Sequence, residues 1–263
     1  MAEGDFKLST FRTSDGSNIK FEYHRALSST VQLARKYASE GYDDRYVIFT
    51  DAQSASPITA TKLPDGEYER GVFMSILLRP TFFPSQASML GHLSAVGLIT
   101  ALEEHTTLPL GLGWVSDIYC DGLRIGGCAV EGKLNSFSSY EYLIVTMAVK
   151  LTKESFPPRL SDMIRKVFES DNAPISMLIA QNVLNKFFAA YTSIRSPGKY
   201  MDAYYRKFAL RDKKIKYIDG DKKRTGRVVD VDRTSGMLLL EVKGGQTREI
   251  RSPSSVIMPK RIK

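Results

Sequence analysis

This sequence is poor in the residues that most often mark a site. Of its 263 residues, two are cysteine, three are histidine and one is tryptophan. Cys120 and Cys128 are too few for a disulfide framework and are expected as buried free thiols of a reducing compartment. His24, His92 and His105 show no metal-ligand spacing, so no metal site is expected. No apolar run approaches the roughly 18 residues of a membrane span, which argues against a membrane partner. The opening MAEGDFKLSTFRTSDG carries acids and has neither a secretory apolar segment nor an Arg-rich amphipathic helix. An intracellular protein, cytoplasmic rather than organellar, is expected. Internal repeats and low-complexity stretches are also missing.

What is present is an uneven charge. The chain is formally +8. Residues 1–210 hold 22 Lys+Arg against 22 Asp+Glu, whereas residues 211–263 hold 15 against 7, so the whole excess lies in the tail. A basic tail suits RNA, another polyanion or an acidic protein, with Lys222, Lys223, Arg224, Arg248 and Arg251 as candidate contacts. Its plain alternative is the solvated surface of a lysine-rich β domain.

The elements follow from patterning. Ile19–Tyr23 reads as a strand, and SSTVQLARKYASEGY (28–42) as a helix capped by Ser28–Thr30 and stopped by Gly41. Strands are predicted over YVIFTDAQ (46–53), GVFMSILLRP (71–80) and YEYLIVTMAVKL (140–151), with a long helix over 85–105. Residues 113–131, GWVSDIYCDGLRIGGCAVE, read as a hairpin. Helices over 157–170 and 173–191 precede a Pro/Gly-marked junction at 197–214. Beyond it, short strands alternate with IDGD, DRTSGM and KGGQ turns, as in a small five-strand barrel. The expectation is an α+β domain over 1–210, a mixed and mostly antiparallel sheet with packed helices, followed by an SH3-like β barrel over 211–263.

In that order the fragments resemble the biotin–protein ligases of the biotin/lipoate ligase superfamily, over about residues 25–257. Ser28-Ser29-Thr30-Val31 stands where that family has D-S-T-N, and Gln53-Ser54-Ala55 where it has Q-Q-A. Ser75-Ile76-Leu77-Leu78-Arg79-Pro80 matches S-x-x-L/W-R-P. Gly113-Trp114-Val115-Ser116-Asp117 and Arg124-Ile125-Gly126-Gly127 partly match K-W-P-N-D and K-hydrophobic-A/G-G. The resemblance implies biotin, ATP with Mg, a biotinyl-adenylate intermediate and a carrier domain as acceptor. It also implies a ligand wall made of Ser29, Thr30, Gln53, Trp114 and Gly127 for biotin or a similar acid. No helix-turn-helix precedes the ligase-like segment, so a DNA-binding role is not expected.

Adenylation needs fixed donors and cations aimed at the α-phosphate. The family supplies a G-R-G-R-R-G loop; here the loop reads Ser56-Pro57-Ile58-Thr59-Ala60-Thr61-Lys62, with no glycine and no arginine. Pro57 has no N–H and the β-branched residues are stiff, which disfavours a backbone phosphate cradle. Gly113 replaces the family's lysine, and Thr146-Met147-Ala148-Val149-Lys150 stands for its G-x-G-x-N. No catalytic residue is therefore assigned. The expected function is a ligase-like protein without adenylation, a binding or structural subunit with a protein partner. Its alternatives are an active biotin ligase charged by Lys62, Arg70 or Lys150, and an RNA-contacting component of a larger ribonucleoprotein. Asp117 is expected to cap a turn, and Gly126 and Gly127 either admit a ligand or serve tight strand packing.

Overall fold

The computed structural model describes residues 6–59, 61–64, 66–87, 89–106, 108–150, 174–196 and 198–262. A hairpin of β1 (Phe6–Arg12) and β2 (Asn18–His24) leads into α1 (Thr30–Ser39), which returns the chain to β3 (Tyr46–Gln53). A short pair, β4 (Ala55–Ser56) and β5 (Thr61–Lys62), precedes β6 (Glu69–Leu78) and α2 (Leu90–Glu103). Then come β7 (Leu110–Leu112), β8 (Asp117–Cys120), β9 (Leu123–Leu134) and β10 (Tyr140–Lys150). The helix expected over 157–170 lies outside the described residues.

Eight strands form one sheet in the order β1-β2-β3-β6-β10-β9-β8-β7. Every neighbouring pair is antiparallel except β2–β3, whose parallel register is made possible by the α1 crossover. This is the mixed, mostly antiparallel α+β sheet expected. Alternation along β3 sends Tyr46 and Ile48 to the α1 side and Val47 and Phe49 to the other, so the first half of the strand is apolar on both faces. Ser29 caps α1 by accepting from the Gln32 N–H at 3.5 Å, and Val31, Ala34 and Ala38 pack on Ile48, Leu77 and Ile144. The larger core lies on the opposite face. There α2 and α3 (Pro174–Tyr191) bury Leu93, Leu98, Val183 and Phe187 with Met74, Val145 and Met147.

Two elements depart from the sequence-based expectation. β1 is an exposed edge strand with a mostly solvated FKLSTFR pattern, held by its ladder to β2 and by Phe11 against the main core. The presumed junction contains α4 (Gly198–Lys207), whose Tyr200, Met201, Tyr204 and Tyr205 are buried. A polar, glycine-led segment becomes helical because its tyrosines have a core to enter.

The C-terminal strands are β11 (Lys214–Asp219), β12 (Lys222–Val231), β13 (Leu238–Glu241), β14 (Thr247–Ile250) and β15 (Val256–Ile257). They form an antiparallel sheet in the order β14-β13-β12-β11-β15. Among the described residues the sheet is open, with the two-residue β15 paired to β11, so the five strands expected are present without a closed ladder between β15 and β14. Its apolar side merges with the main core through Ile215, Tyr217, Val228, Leu238 and Leu240. The docking is also polar, with Trp114 Nε1 donating to the Gly236 carbonyl at 2.7 Å and Tyr205 Oη to that of Val231 at 2.5 Å. The last residues strap the β8–β9 turn. Tyr119 Oη donates to the Pro259 carbonyl, Arg124 N–H to that of Lys260 and Ile262 N–H to that of Gly122. Among the described residues no helix is long and apolar enough to cross a membrane.

Candidate functional site

The α1 cap, the end of β3 and the middle of the sheet bring three of the expected ligand residues together. The Gln53 carboxamide oxygen accepts from the Thr30 N–H at 2.9 Å, and its nitrogen donates to the Ala55 carbonyl at 2.6 Å. Thr30, Ser75 and Thr146 form a buried chain of hydroxyls, with oxygen separations of 3.1 and 3.2 Å. Ser29, Thr30 and Gln53 are all buried. The hydrogen bonds of this wall are therefore made within the protein.

The loop after Gln53 folds over the same face. Ile58, 6% exposed, packs on Phe73 of β6 and Ala148 of β10. The candidate cations nearby have acid partners. Lys150 Nζ lies 2.8 Å from Glu69, and Arg70 lies 3.6 Å from Asp51, while Lys62 is exposed. The surroundings of a triphosphate would call for unmatched positive charge.

In the 113–131 hairpin, Asp117 opens β8 and is bound by Arg124 of β9, with Nε 2.7 Å and a terminal nitrogen 2.6 Å from the same carboxylate oxygen. Burial raises the Asp117 pKa above the ordinary carboxylate value, and the Arg124 charge and hydrogen bond oppose it. The turn-cap role expected for Asp117 is replaced by this ion pair. Its two members sit across a bulged β8–β9 register, which spacing along the chain does not disclose. A Cβ on Gly127 would fall 2.5 Å from the Ser116 carbonyl, and one on Gly126 would collide with the Ala148 carbonyl. Both glycines are required by backbone packing, whatever they admit besides. Gly127 faces Ala148 and so borders the Thr30–Thr146 wall. Trp114 does not join it, being 2% exposed in the main core and turned to Gly236.

The tail cations are brought together in part. Arg224 and Arg248 share Asp219, at 2.9 and 2.7 Å, and the Arg248 guanidinium lies 5.6 Å from the Tyr217 ring centroid. The Asp219 pKa is lowered chiefly by its hydrogen bond from Arg248. Arg251 lies 3.7 Å from Glu249, and Lys222 and Lys223 stand exposed at the start of β12. Sequence reasoning missed His92, on α2. Its ring is 3% exposed, and neither nitrogen has a hydrogen-bond partner. A lone histidine in an apolar helical pattern gives no signal of this.

No family model matches the chain. In sequence it is similar to the bifunctional ligase/repressor BirA of Bacillus subtilis, 23% identical over 179 residues, or 67% of this chain and 55% of that protein. It thus spans about half the length of that relative. BirA of Bacillus spizizenii is 21% identical over 230 residues, 85% of this chain and 70% of that protein. In structure it is similar to the biotin protein ligase of Aquifex aeolicus, with a TM-score of 0.64 at 18% identity over 90% of this chain and 96% of the other. The same enzyme in complex with biotin and ATP gives 0.64 at 18%, covering 90% and 97%. A biotin protein ligase-like protein of unknown function from Silicibacter also gives 0.64, at 12% identity, covering 91% and 97%. The fold is that of the biotin protein ligases, and the sequence relatives support the same assignment.

Proposed function

We propose that this chain, with its biotin protein ligase fold, is a ligase-like protein that does not adenylate and serves as a binding or structural subunit for a protein partner. The observation that carries this is the loop after Gln53. Where the ligase pattern has a Gly/Arg phosphate cradle, this chain places Ile58 against Phe73 and Ala148. Lys150 and Arg70 lie next to acids, which further lowers the positive potential available to a nucleotide. What remains for a ligand is the strip of Ser29, Thr30, Gln53 and Gly127, which takes biotin or a similar acid weakly and without nucleotide.

The test is biotin-dependent exchange of labelled pyrophosphate into ATP. The expected result is no exchange above a blank without protein. Clear exchange overturns the proposal and favours an active ligase, for which the retained Asp117–Arg124 pair is the supporting observation. Biotin binding is followed by thermal shift, since a ligand of the native state raises the midpoint with its occupancy. Ile58→Ala should strengthen that binding by opening the strip. An unchanged shift would mean that Ile58 does not compete with the ligand.

A further inference from the structure

The larger cleft of the molecule, about 720 Å³, lies where the C-terminal sheet meets the main one and Gly236 abuts His92. Its Trp114–Asp117 wall is the segment matched to the ligase pattern, so it belongs with that resemblance. A smaller pocket of about 250 Å³ has no such tie. It is set in the helical layer, among α2, the second half of α3 and the start of α4. None of its residues lies in a fragment that carries the resemblance, and α2 and α3 cover the sheet face opposite α1.

The pocket follows from the way these helices meet. Gly97 of α2 lets α3 come so close that a Cβ there would stand 3.0 Å from the Phe187 Cα. Beside that contact Val96, Ala189, Ala190 and Ala203 are too short to fill the space between the three helices. A cavity of about 150 Å³ already holds benzene, so this one accepts a ring with a short polar arm.

Tyr200, the third residue of α4, marks the pocket as more than a packing gap. It lines the pocket at 4% exposure, and its hydroxyl is buried without a hydrogen-bond partner. Two other buried tyrosines of the same helix are satisfied. Tyr204 Oη donates to the Gly113 carbonyl at 2.9 Å and Tyr205 Oη to that of Val231 at 2.5 Å. Burial raises the Tyr200 pKa to about 12, so the phenol is neutral near pH 7 and can donate. A buried hydroxyl left unmet is costly and uncommon.

The charge at the mouth is positive. Lys186 lies 2.7 Å from Glu104, whereas the exposed Lys199 side chain has no acid partner among the described residues. The acids of the same helices are engaged elsewhere, Glu103 by Lys207 and Asp202 by Arg233 at 3.6 Å, and no carboxylate lines the pocket among the described residues. Lys199 and Tyr200 also stand in the first turn of a ten-residue helix, the end that favours an anion.

We propose that this pocket binds a small aromatic monocarboxylate, its ring against Gly97 and the alanines and its carboxylate between Lys199 and the Tyr200 hydroxyl. This goes beyond the function proposed above and does not depend on it. The small side chains supply the apolar slot, the lysine selects charge, and the carboxylate gives Tyr200 the acceptor that the protein itself does not provide.

The probe is para-fluorophenylacetate, followed by its fluorine resonance as the full chain is titrated in. Saturable broadening is expected, with Kd weakened about tenfold, or roughly 1.4 kcal/mol, by Lys199→Glu or by Ala189→Leu. Both residues are exposed, so both variants should fold. The neutral para-fluorophenylacetamide should bind the parent chain about tenfold more weakly than the acid. Tyr200→Phe should weaken the acid about fivefold without lowering the thermal midpoint, since the hydroxyl removed has no partner in the protein. No saturable binding to the parent chain overturns the proposal and leaves the pocket to a side chain of a protein partner. Unchanged affinity in Lys199→Glu and Ala189→Leu also overturns it, by placing the probe elsewhere. Equal affinity for acid and amide removes the role of Lys199. Unaltered binding to Tyr200→Phe, or a lowered midpoint in that variant, removes the role of Tyr200.

Discussion

Two buried polar regions of this molecule obey opposite rules. Under α1, Glu22 is 1% exposed yet accepts from Tyr37 and Tyr46 and contacts His24, and the Thr30–Ser75–Thr146 hydroxyls satisfy one another. Burial alone would raise the Glu22 pKa, but hydrogen bonds led by that of His24 outweigh it and hold the carboxyl below its ordinary value. At the C-terminal cleft, His92 is as deeply buried and has no hydrogen-bond partner. The likeness to a ligase site falls on both, since Ser29, Thr30 and Gln53 belong to the first and Trp114, part of the segment matched to K-W-P-N-D, reaches the second through Gly236.

The contrast can be broken first at Phe73. It is 0% exposed and supports Ile58 on the closed side, so Phe73→Ala should cost about 3–5 kcal/mol in urea unfolding. A loss under about 1 kcal/mol would show that the closed side is loosely packed after all.

The pH dependence of stability probes the other side. The His92 pKa is 6.5 unfolded and about 4 folded, so the unfolded state binds the proton first and stability rises with pH across that window. The contribution is present above pH 6.5 and is lost as pH falls through 4. The charged groups about the same cleft are Asp117, Arg124 and Arg251, with the Tyr204 hydroxyl raised by burial. The first three persist in His92→Phe, so comparing that variant with the parent isolates the histidine. The parent should lose on the order of 3 kcal/mol more than the variant on acidification. Parallel stability curves would mean that the imidazole is protonated without penalty.

Smaller again is Ser75→Ala, which leaves the Thr30 and Thr146 hydroxyls short of a partner. It should lower stability by about 1–2 kcal/mol, measured by thermal melting against a parent control. The smallest effect concerns the basic tail. Arg224 and Arg248 are drawn to Asp219, so a labelled RNA should bind weakly, at low salt only, and less to a Lys222/Lys223/Arg224→Ala variant. Fluorescence anisotropy titrated with salt checks this. Tight binding that resists salt would reverse the order of importance given to the two modules.

Much of the main sheet was legible in the sequence because its signals are local. Tyr46–Gln53 matches β3 residue for residue, and Ser29 caps α1 as its type suggests. α4 was hidden because its tyrosines gain their meaning from partners such as His92, more than a hundred positions earlier. The Ser29–Thr30–Gln53 cluster was legible through the family pattern, whereas the Asp117–Arg124 pairing required the strand register. His92 and Gly236 were unreadable for the same reason: each looks ordinary until the two modules meet.

The strap at the end of the chain also imposes an order of assembly. Residues 259–262 receive hydrogen bonds from Tyr119 and Arg124 and donate one to Gly122, so the β8–β9 turn is completed by the segment made after every strand and helix described above. During synthesis, which proceeds from the N-terminus, the main sheet can form while its turn still faces water. The strap itself cannot close on that turn until translation has passed Ile262.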